Sequence, residues 1–246
     1  MKRLAAGGIV VLFWLAVWQL AATVIDNTVL LVGPIETVTA LLKMLPHPEF
    51  GSAVFSTLLR IGGGFLCGLL AGMLLALAAF FVPALERLLS PLMLAVKSVP
   101  VACYVIMLLI WSGNAYTAFW VCMLVVLPLL YVNTLQGMRS ADKELLEIAS
   151  LFTMTRADYW KHIYFPALYP FLHGACQVAC AMSWKSGIAA EVIALKTGTL
   201  GNELNRAKTL LETDRLFAVT LTVIVLSWLM EKVFLALLER IKRKLD

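Results

Sequence analysis

Charged residues are scarce in this sequence. Asp, Glu, Lys and Arg make up 14% of the 246 residues and apolar residues make up 61%, whereas a soluble domain is about a quarter charged and about half apolar. The scarcity excludes a soluble enzyme with one core, and it excludes disordered and coiled-coil chains, which are rich in charge. Glycine and cysteine, with 15 and 5 residues, are too few for a collagen-like or disulfide-rich chain. An integral membrane protein remains.

Side chains that commonly carry chemistry are also few. Of the three histidines, only His173 lies in a predicted span, and no carboxylate accompanies it, so the sequence offers no constellation for a membrane-embedded hydrolase. All five cysteines fall in predicted spans without metal-ligand spacing, which predicts apolar packing residues and no metal site. The run Gly62-Gly63-Gly64 lacks the Gly-Lys-Ser/Thr ending of a P-loop, so we expect no nucleotide or other cofactor on this chain.

Long intervals without a charged residue predict the membrane spans. The longest, residues 98–138, holds 41 residues, enough for two spans of about 20 residues each. These runs do not alternate apolar and polar residues as barrel strands do, so the spans are predicted to be α-helices. The first run is too long for a signal peptide and ends without a small-residue cleavage motif. Six spans in a single transmembrane domain, residues 1–246, are expected near residues 5–25, 53–82, 88–111, 115–137, 167–188 and 215–237.

The distribution of Lys and Arg predicts the orientation. Six spans place both termini on one side of the membrane, and that side carries twelve Lys and Arg residues against five on the other. Positive residues near span ends are held on the cytoplasmic side, so both termini are expected in the cytoplasm. The net charge of +5 is therefore expected to face lipid headgroups and not nucleic acid.

The two longer outer connections, residues 26–51 and 189–214, each predict a short helix. Pro34 stands at a first helical position in the first of them. In the second, a glycine-bounded loop precedes a helix with charged residues of both signs. These segments either contact a partner outside the cell membrane or seal the bundle.

The inner connection, residues 139–166, predicts two short amphipathic helices at a turn. They cover residues 141–152 and 155–163, and Thr155 with Asp158 has the spacing of a capping box. A surface helix pair flanked by spans is suited to transmit a push from a partner, and the alternative is a simple surface loop.

Five residues in or beside the predicted spans are candidates for lining a transport path: Arg60, Lys97, Pro100, Lys185 and Glu191. Charged residues at membrane depth are costly and mark functional sites. Proline removes a backbone donor, so Pro100 predicts a break in the third span beside Lys97. The three basic side chains favour an anionic solute. The alternative is that they extend to the nearest membrane interface.

Glycines recur every fourth residue on the second predicted span, at Gly64, Gly68 and Gly72. Small residues at this spacing allow a second helix to approach closely. We therefore predict tight helix packing here, within or between subunits. A flexible hinge is the less favoured alternative.

The inner connection also carries a family resemblance. Glu147-Ile148-Ala149, followed by Ile163-Tyr164-Phe165-Pro166, resembles the EAA motif of ABC importer permeases. Ile148 stands in place of the middle alanine, and Thr153 in place of the usual turn glycine. Further stretches resemble the nitrate, taurine and alkanesulfonate branch of these permeases, in chain order: Ser56–Phe65, Ser98–Ala102, Ile110–Gly113, Ser183–Val192 and Thr213–Ala218.

The resemblance implies a type I ABC importer permease fold, all-α, with about six transmembrane helices and a cytoplasmic coupling-helix pair, in a bacterial cytoplasmic (inner) membrane. It implies a second permease subunit forming a homodimer, two ATP-binding subunits that hold ATP and Mg²⁺, and a soluble periplasmic or lipid-anchored solute-binding protein. The chain itself would be non-catalytic and would form the path for a small polar, anionic solute. The residues expected to contact an ATP-binding subunit are Glu147, Ala149, Ser150, Phe152, Thr153, Tyr159, Trp160 and Pro166.

A second interpretation keeps the membrane fold but omits the ATPase partner. An ion-coupled secondary transporter or a channel-like protein typically shows inverted repeats or paired carboxylates in its spans. The sequence shows neither. It does not choose among sulfonates, nitrate, bicarbonate, thiamine precursors and other solutes, nor does it decide between a homodimer and a heterodimer.

Overall fold

The computed structural model describes the backbone of residues 2–151 and 154–245 and the side chains of residues 8–149, 151 and 154–244. Every regular element in this part of the chain is helical, which confirms the all-α prediction. The α-helices are α1 (Lys2–Ile25), α2 (Pro34–Met44), α3 (Pro48–Phe81), α4 (Pro83–Ser98), α5 (Val101–Ser112), α6 (Thr117–Arg139), α7 (Lys143–Leu151), α8 (Arg156–Tyr159), α9 (Phe165–Ala194), α10 (Leu200–Leu210) and α11 (Thr213–Leu245). A π-helical turn, Trp160–Tyr164, joins α8 to α9.

Within the described residues, four segments are long and apolar enough to cross a membrane: Gly8–Ile25, Pro48–Phe81, Thr117–Arg139 and Thr213–Lys244. Helices α4 and α5 add a fifth span if they are counted together. The predicted count of six exceeds this number by α9, which has 30 residues but is not among the segments that are apolar enough. Its buried residues include Ser183, Ser186 and Glu191, and polar residues in membrane helices face protein rather than lipid.

The third predicted span, residues 88–111, is divided into two helices at the predicted break. Helices α4 and α5 replace it, and their axes are bent by 101°. Val99 is extended, with φ −74° and ψ 129°, because the residue before a proline is driven out of the helical region. The Tyr104 hydroxyl donates a hydrogen bond to the Val96 carbonyl across the break. The break predicted at Pro100 is thus confirmed.

Contacts divide the chain into two compact units. One comprises residues 1–57 and 195–225, and the other comprises residues 58–194 and 226–246. Helices α3 and α11 contribute residues to both units. That residues 1–246 act as one domain stays a prediction.

The first unit contains the two predicted outer helices. Helix α2 begins at Pro34, with the proline in the first turn as predicted. Before α10, the Thr57 hydroxyl accepts a hydrogen bond from the Leu200 N–H at 3.0 Å, which links this helix to the first turns of α3. The second outer loop is shorter than predicted, because α9 continues to Ala194.

The second unit has an apolar core formed mainly by α3, α6 and α9. Phe65, Leu130 and Leu172 represent the three helices in this core. Three of the cysteines, Cys122, Cys176 and Cys180, are buried as free thiols, in agreement with the packing prediction. The same prediction is wrong for Cys67 and Cys103, which are exposed on the chain.

The glycines of α3 lie directly against the backbone of α6. A Cβ atom on Gly64 would lie 2.4 Å from the Phe119 carbonyl oxygen, and one on Gly68 would lie 2.8 Å from the Met123 carbonyl oxygen. One on Gly72 would lie 2.6 Å from the carbonyl oxygen of the residue four positions further along α6. Real Cβ atoms are not found this close to backbone oxygens, so only glycine fits at the three positions. The predicted tight packing is confirmed within the chain.

Candidate functional site

Helix α7 carries the first part of the predicted coupling region. It spans Lys143–Leu151 and begins two residues later than predicted. Ala149 is buried and packs with Ala141 and Ile163, which fixes one face of the helix against the chain. On the other side, Glu147 is exposed, and the side chain of Leu151 is 80% exposed. The helix therefore presents an acidic and apolar face to its surroundings.

A capping box starts α8, as predicted. The Thr155 hydroxyl accepts a hydrogen bond from the Asp158 N–H at 3.3 Å, while the Asp158 carboxylate accepts from the Thr155 hydroxyl at 2.6 Å and from its N–H at 3.2 Å. The two hydrogen bonds that the Asp158 carboxylate accepts lower its pKa below the ordinary value of 3.8, and the one from the Thr155 hydroxyl has the larger effect. A lowered acid pKa stabilises the fold at neutral pH, and this contribution is lost only when the pH falls through the lowered pKa. The helix start is therefore intact at physiological pH.

The π-helical turn Trp160–Tyr164 makes the chain from α8 to α9 continuous. The rings of Trp160 and Tyr164 lie 5.5 Å apart, and Tyr164 meets Phe80 of α3 edge-on at 5.8 Å. Such single π turns in a helix often occur at functional sites. Pro166, in the first turn of α9, is exposed. An unbroken helical segment thus connects α8 to the core of the second unit.

The predicted coupling residues differ in how far their side chains are exposed on the chain. Glu147 faces outward, whereas Ala149 is buried. Tyr159 and Trp160 are half-buried against their own chain and do not project as free anchors. The side chain of Ser150 and the whole of Phe152 and Thr153 lie outside the described residues.

Two of the predicted path residues border adjoining cavities at the break between α4 and α5. Lys97 lines a cavity of about 100 Å³, and Lys185 lines one of about 190 Å³. Both cavities share a wall formed by Val101, Val125 and Met182. The two lysines, 88 residues apart in sequence, are therefore brought to one apolar hollow.

The chemistry of this hollow suits an anion. Both lysines are exposed on the chain, and the walls between them are apolar side chains. A cation beside low-dielectric walls attracts an anion more strongly than the same cation in bulk water. Pro100, the N-cap residue of α5, produces the bend beside which Val101 lies in the shared wall.

The other two predicted path residues lie outside the lining of this hollow. The Arg60 guanidinium donates from Nε to the Ala115 carbonyl at 3.0 Å, which holds the loop before α6. Glu191 is 1% exposed in the interior of the second unit. The structure gives both residues contacts within the chain.

Sequence reasoning missed the apolar part of the hollow. Val101, Val125 and Met182 carry no signal, because they are apolar residues in apolar helices. Tyr104 carried a weak signal, since its hydroxyl stands in an otherwise apolar segment. This hydroxyl donates the hydrogen bond across the break.

A polar cleft of about 190 Å³ lies in the first unit. It is lined in part by His47, Glu49 and Arg206, and by Glu203 in an ion pair with Arg215 at 2.7 Å. The cleft is lined mainly by residues of the two predicted outer segments.

Comparison with known proteins decides the family. The model of the family described as binding-protein-dependent transport system inner membrane component matches residues 68–246. The chain belongs to this family. The resemblance to ABC importer permeases, which was carried by the EAA-like motif, is therefore confirmed, and the matched range includes the coupling region and both lysines of the hollow.

Named relatives of the permease agree with the predicted branch. The riboflavin transport system permease protein RibX of Chloroflexus aurantiacus is 28% identical over 157 residues, covering 60% of this chain and 58% of that protein. The chain thus spans less than two thirds of that relative. The bicarbonate transport system permease protein CmpB of Synechococcus elongatus is 23% identical, with 74% of this chain and 69% of that protein covered. The aliphatic sulfonates transport permease protein SsuC of Bacillus subtilis is 23% identical, with 98% and 86% covered.

A solved structure shares the fold. A crystal structure described as an amino acid ABC transporter with histidines superposes with a TM-score of 0.61 at 19% identity. The match covers 83% of this chain and 98% of the other. The permease fold of ABC importers is therefore established for this chain.

Proposed function

We propose that this permease forms the translocation path of an ATP-driven importer for a small polar, anionic solute. Two copies of the chain would assemble with two ATP-binding subunits and receive the solute from a soluble or lipid-anchored binding protein. The observation that carries the proposal is the pair of lysines, Lys97 and Lys185, which border one apolar hollow beside a broken span. Names of relatives support the solute class, since bicarbonate and sulfonates are anions.

The coupling region supplies the ATP-dependent step. In this proposal Glu147 and the exposed apolar face of α7 bind a cleft of the ATP-binding subunit. Closure of that subunit on ATP moves α7 and α8 together, because Tyr159 of α8 packs against the cluster that contains Ala149 and Ile163. The continuous segment from α8 through the π turn then passes the movement to α9, which carries Lys185. A push in the cytoplasm thereby changes access to the hollow.

The proposed orientation places both termini in the cytoplasm of a bacterial inner membrane. Two contacts in the second unit support it. Arg139 at the end of α6 forms an ion pair with Glu86 near the start of α4 at 2.5 Å. The Lys242 ammonium lies 4.7 Å from the ring centroid of Tyr169, near the start of α9. Each contact joins two segments that the Lys and Arg distribution assigns to the cytoplasmic side.

The outer cleft is the proposed contact for the binding protein. Its exposed residues, His47, Glu49 and Arg206, offer both signs of charge. Charge complementarity at such a surface mainly sets the association rate and the register of a docking partner. The ATP and Mg²⁺ are expected on the ATP-binding subunits, and the permease itself supplies the path.

Reconstitution tests the proposed function. The permease, its ATP-binding subunit and its binding protein are placed in proteoliposomes, after a thermal-shift screen of the binding protein has identified a stabilising solute. We expect uptake of that solute with ATP and none with a non-hydrolysable analogue. Uptake driven by a proton or sodium gradient without ATP would instead support the ion-coupled transporter.

Replacing either lysine of the hollow by methionine is expected to lower uptake about tenfold, because one favourable charge is removed from beside apolar walls. The substitutions Lys97→Met and Lys185→Met are compared by kcat/KM of uptake in the reconstituted importer. Lys97→Arg, which keeps the charge, is the matched control and should retain most of the activity. Binding of the ATP-binding subunit should be unchanged in all variants. Full uptake by both methionine variants would show that these lysines only extend to the interface.

A further inference from the structure

An apolar groove lies between α3 and α11, inside the second unit. It has a volume of about 480 Å³, and its walls include Leu58, Leu66, Leu229, Val233 and Leu237. Those five side chains are each at least 37% exposed on the chain. Every residue that lines the groove is apolar.

The shape of the groove depends on one glycine and one pair of rings. Phe65 and Phe234 meet edge-on at 4.9 Å and form part of its floor. At Gly62 a Cβ atom would meet no atom within 4 Å, so the missing side chain leaves the space above α3 open. Gly62 thereby differs from Gly64 and Gly68, whose missing side chains admit α6.

The groove matches one leaflet of a membrane in length. Its wall on α11 runs from Leu226 to Leu237, which is about 16 Å at a rise of 1.5 Å per residue. The hydrocarbon core of a bilayer is about 30 Å thick, so one leaflet contributes about 15 Å. A spanning helix of another subunit would need an apolar contact about twice as long.

Basic residues continue the same face of α11 beyond the groove. Arg240 and Lys244 follow Leu237 by three and seven residues, spacings that return to one side of an α-helix. Both side chains are exposed. Lys242 points elsewhere, because its ammonium lies over the ring of Tyr169. The apolar face thus ends in two positive charges.

We propose that this groove binds an anionic phospholipid of the cytoplasmic leaflet, with one acyl chain between α3 and α11 and the phosphate at Arg240 and Lys244. The apolar walls accept the chain, and basic groups next to a membrane helix attract anionic headgroups. The choice of leaflet rests on the orientation proposed above. Lipid binding itself does not depend on transport, so the two proposals fail separately.

Lipid retention by the purified permease in complex with its ATP-binding subunit tests the proposal. The complex is equilibrated with mixed vesicles of phosphatidylglycerol and phosphatidylcholine, and native mass spectrometry counts the retained lipids. We expect the wild type to retain phosphatidylglycerol preferentially. The double change Arg240→Gln with Lys244→Gln should weaken that retention about 30-fold, at about one tenfold step per 1.4 kcal/mol and about 1 kcal/mol per basic residue.

A matched control removes the same charge from another face of α11. Lys232 and Arg243 are exposed and lie about 120–140° around the helix from Leu237 of the groove face. The double change Lys232→Gln with Arg243→Gln should keep phosphatidylglycerol retention near the wild-type level. Equal losses in the two double variants would overturn the proposal, since the effect would then be one of total charge.

Filling the groove separates lipid from a second subunit as its occupant. Gly62→Leu and Val233→Trp narrow the groove from α3 and from α11, and both should lower retention of the two lipids alike. Size-exclusion chromatography reports on folding and subunit association in each variant. If either well-folded variant loses subunit association while it keeps its lipid, the groove is a subunit contact and the proposal is wrong.

Discussion

The double change Glu147→Arg with Trp160→Ala is expected to abolish co-purification of the ATP-binding subunit and, with it, ATP-dependent uptake. Glu147 faces outward from α7, so reversal of its charge places a cation where the proposed partner supplies one. Trp160 holds the junction with α9 through its contact with Tyr164 at 5.5 Å. A charged residue of this kind contributes about 2 kcal/mol or more at an interface, and we expect loss of the Trp160 ring, which holds the junction with α9 from within the chain, to cost about as much. We therefore expect association to weaken about 10³-fold, measured by pull-down and by ATPase activity in proteoliposomes.

The control for this experiment reverses a charge away from the proposed interface and makes a conservative change at Trp160. Glu49 is an exposed carboxylate in the first unit, in a predicted outer segment. Glu49→Arg reverses a charge there, and Trp160→Phe retains an aromatic ring against Tyr164. The pair should co-purify with the ATP-binding subunit as the wild type does. If ATP hydrolysis and uptake survive Glu147→Arg with Trp160→Ala, the assignment of α7 and α8 as the coupling element is wrong.

A side chain at Gly68 is expected to lower the stability of the fold strongly. In Gly68→Ile the Cβ atom would start 2.8 Å from the Met123 carbonyl oxygen, and the backbone of α6 cannot retreat without losing its contacts with α9. Overpacking a close-packed core costs about 1–3 kcal/mol or more. A loss of about 3 kcal/mol lowers the Tm of a chain of this size by roughly 6–12 °C, which thermal unfolding in detergent would measure.

Gly62→Ile is the matched control on the same helix. The space beside Gly62 is open, and isoleucine is a better helix former than glycine. Its Tm should stay within a few degrees of the wild type. Equal melting of the two variants would show that α3 and α6 are not held at the distance the glycines indicate, and that the spacing of Gly64, Gly68 and Gly72 reflects a hinge.

Several parts of the fold were predictable because their causes are local. The capping box of Thr155 and Asp158 depends on two side chains three residues apart, so the sequence is enough to place it. The break at Pro100 follows from a missing N–H and from the restriction of the preceding residue. The glycine spacing on α3 predicted a close helix contact for the same kind of reason, although not which helix would make it.

Other features could not be predicted because they depend on distant segments. The sequence does not show that Lys97 and Lys185 share one hollow while Arg60 holds a loop, since all three look alike in a charge count. It also suggested six equivalent spans, although α9 is not among the segments that are apolar enough to cross a membrane and it buries polar residues such as Ser183 and Glu191. The two exposed cysteines were predicted to be packing residues because the sequence does not show which side of a helix faces the rest of the chain.

By itself, the sequence determined that this protein lies in a membrane and which family it resembles. Uninterrupted apolar runs require a membrane, because exposed apolar surface on this scale is not stable in water, and the residues of the inner connection resemble those of an ABC importer permease. Only the tertiary structure decided which charged residues border the same hollow. The 101° bend between α4 and α5 and the contact of α3 glycines with α6 place residues that are far apart in the chain. Such placements arise from the packing of distant helices against one another, which no local sequence pattern predicts.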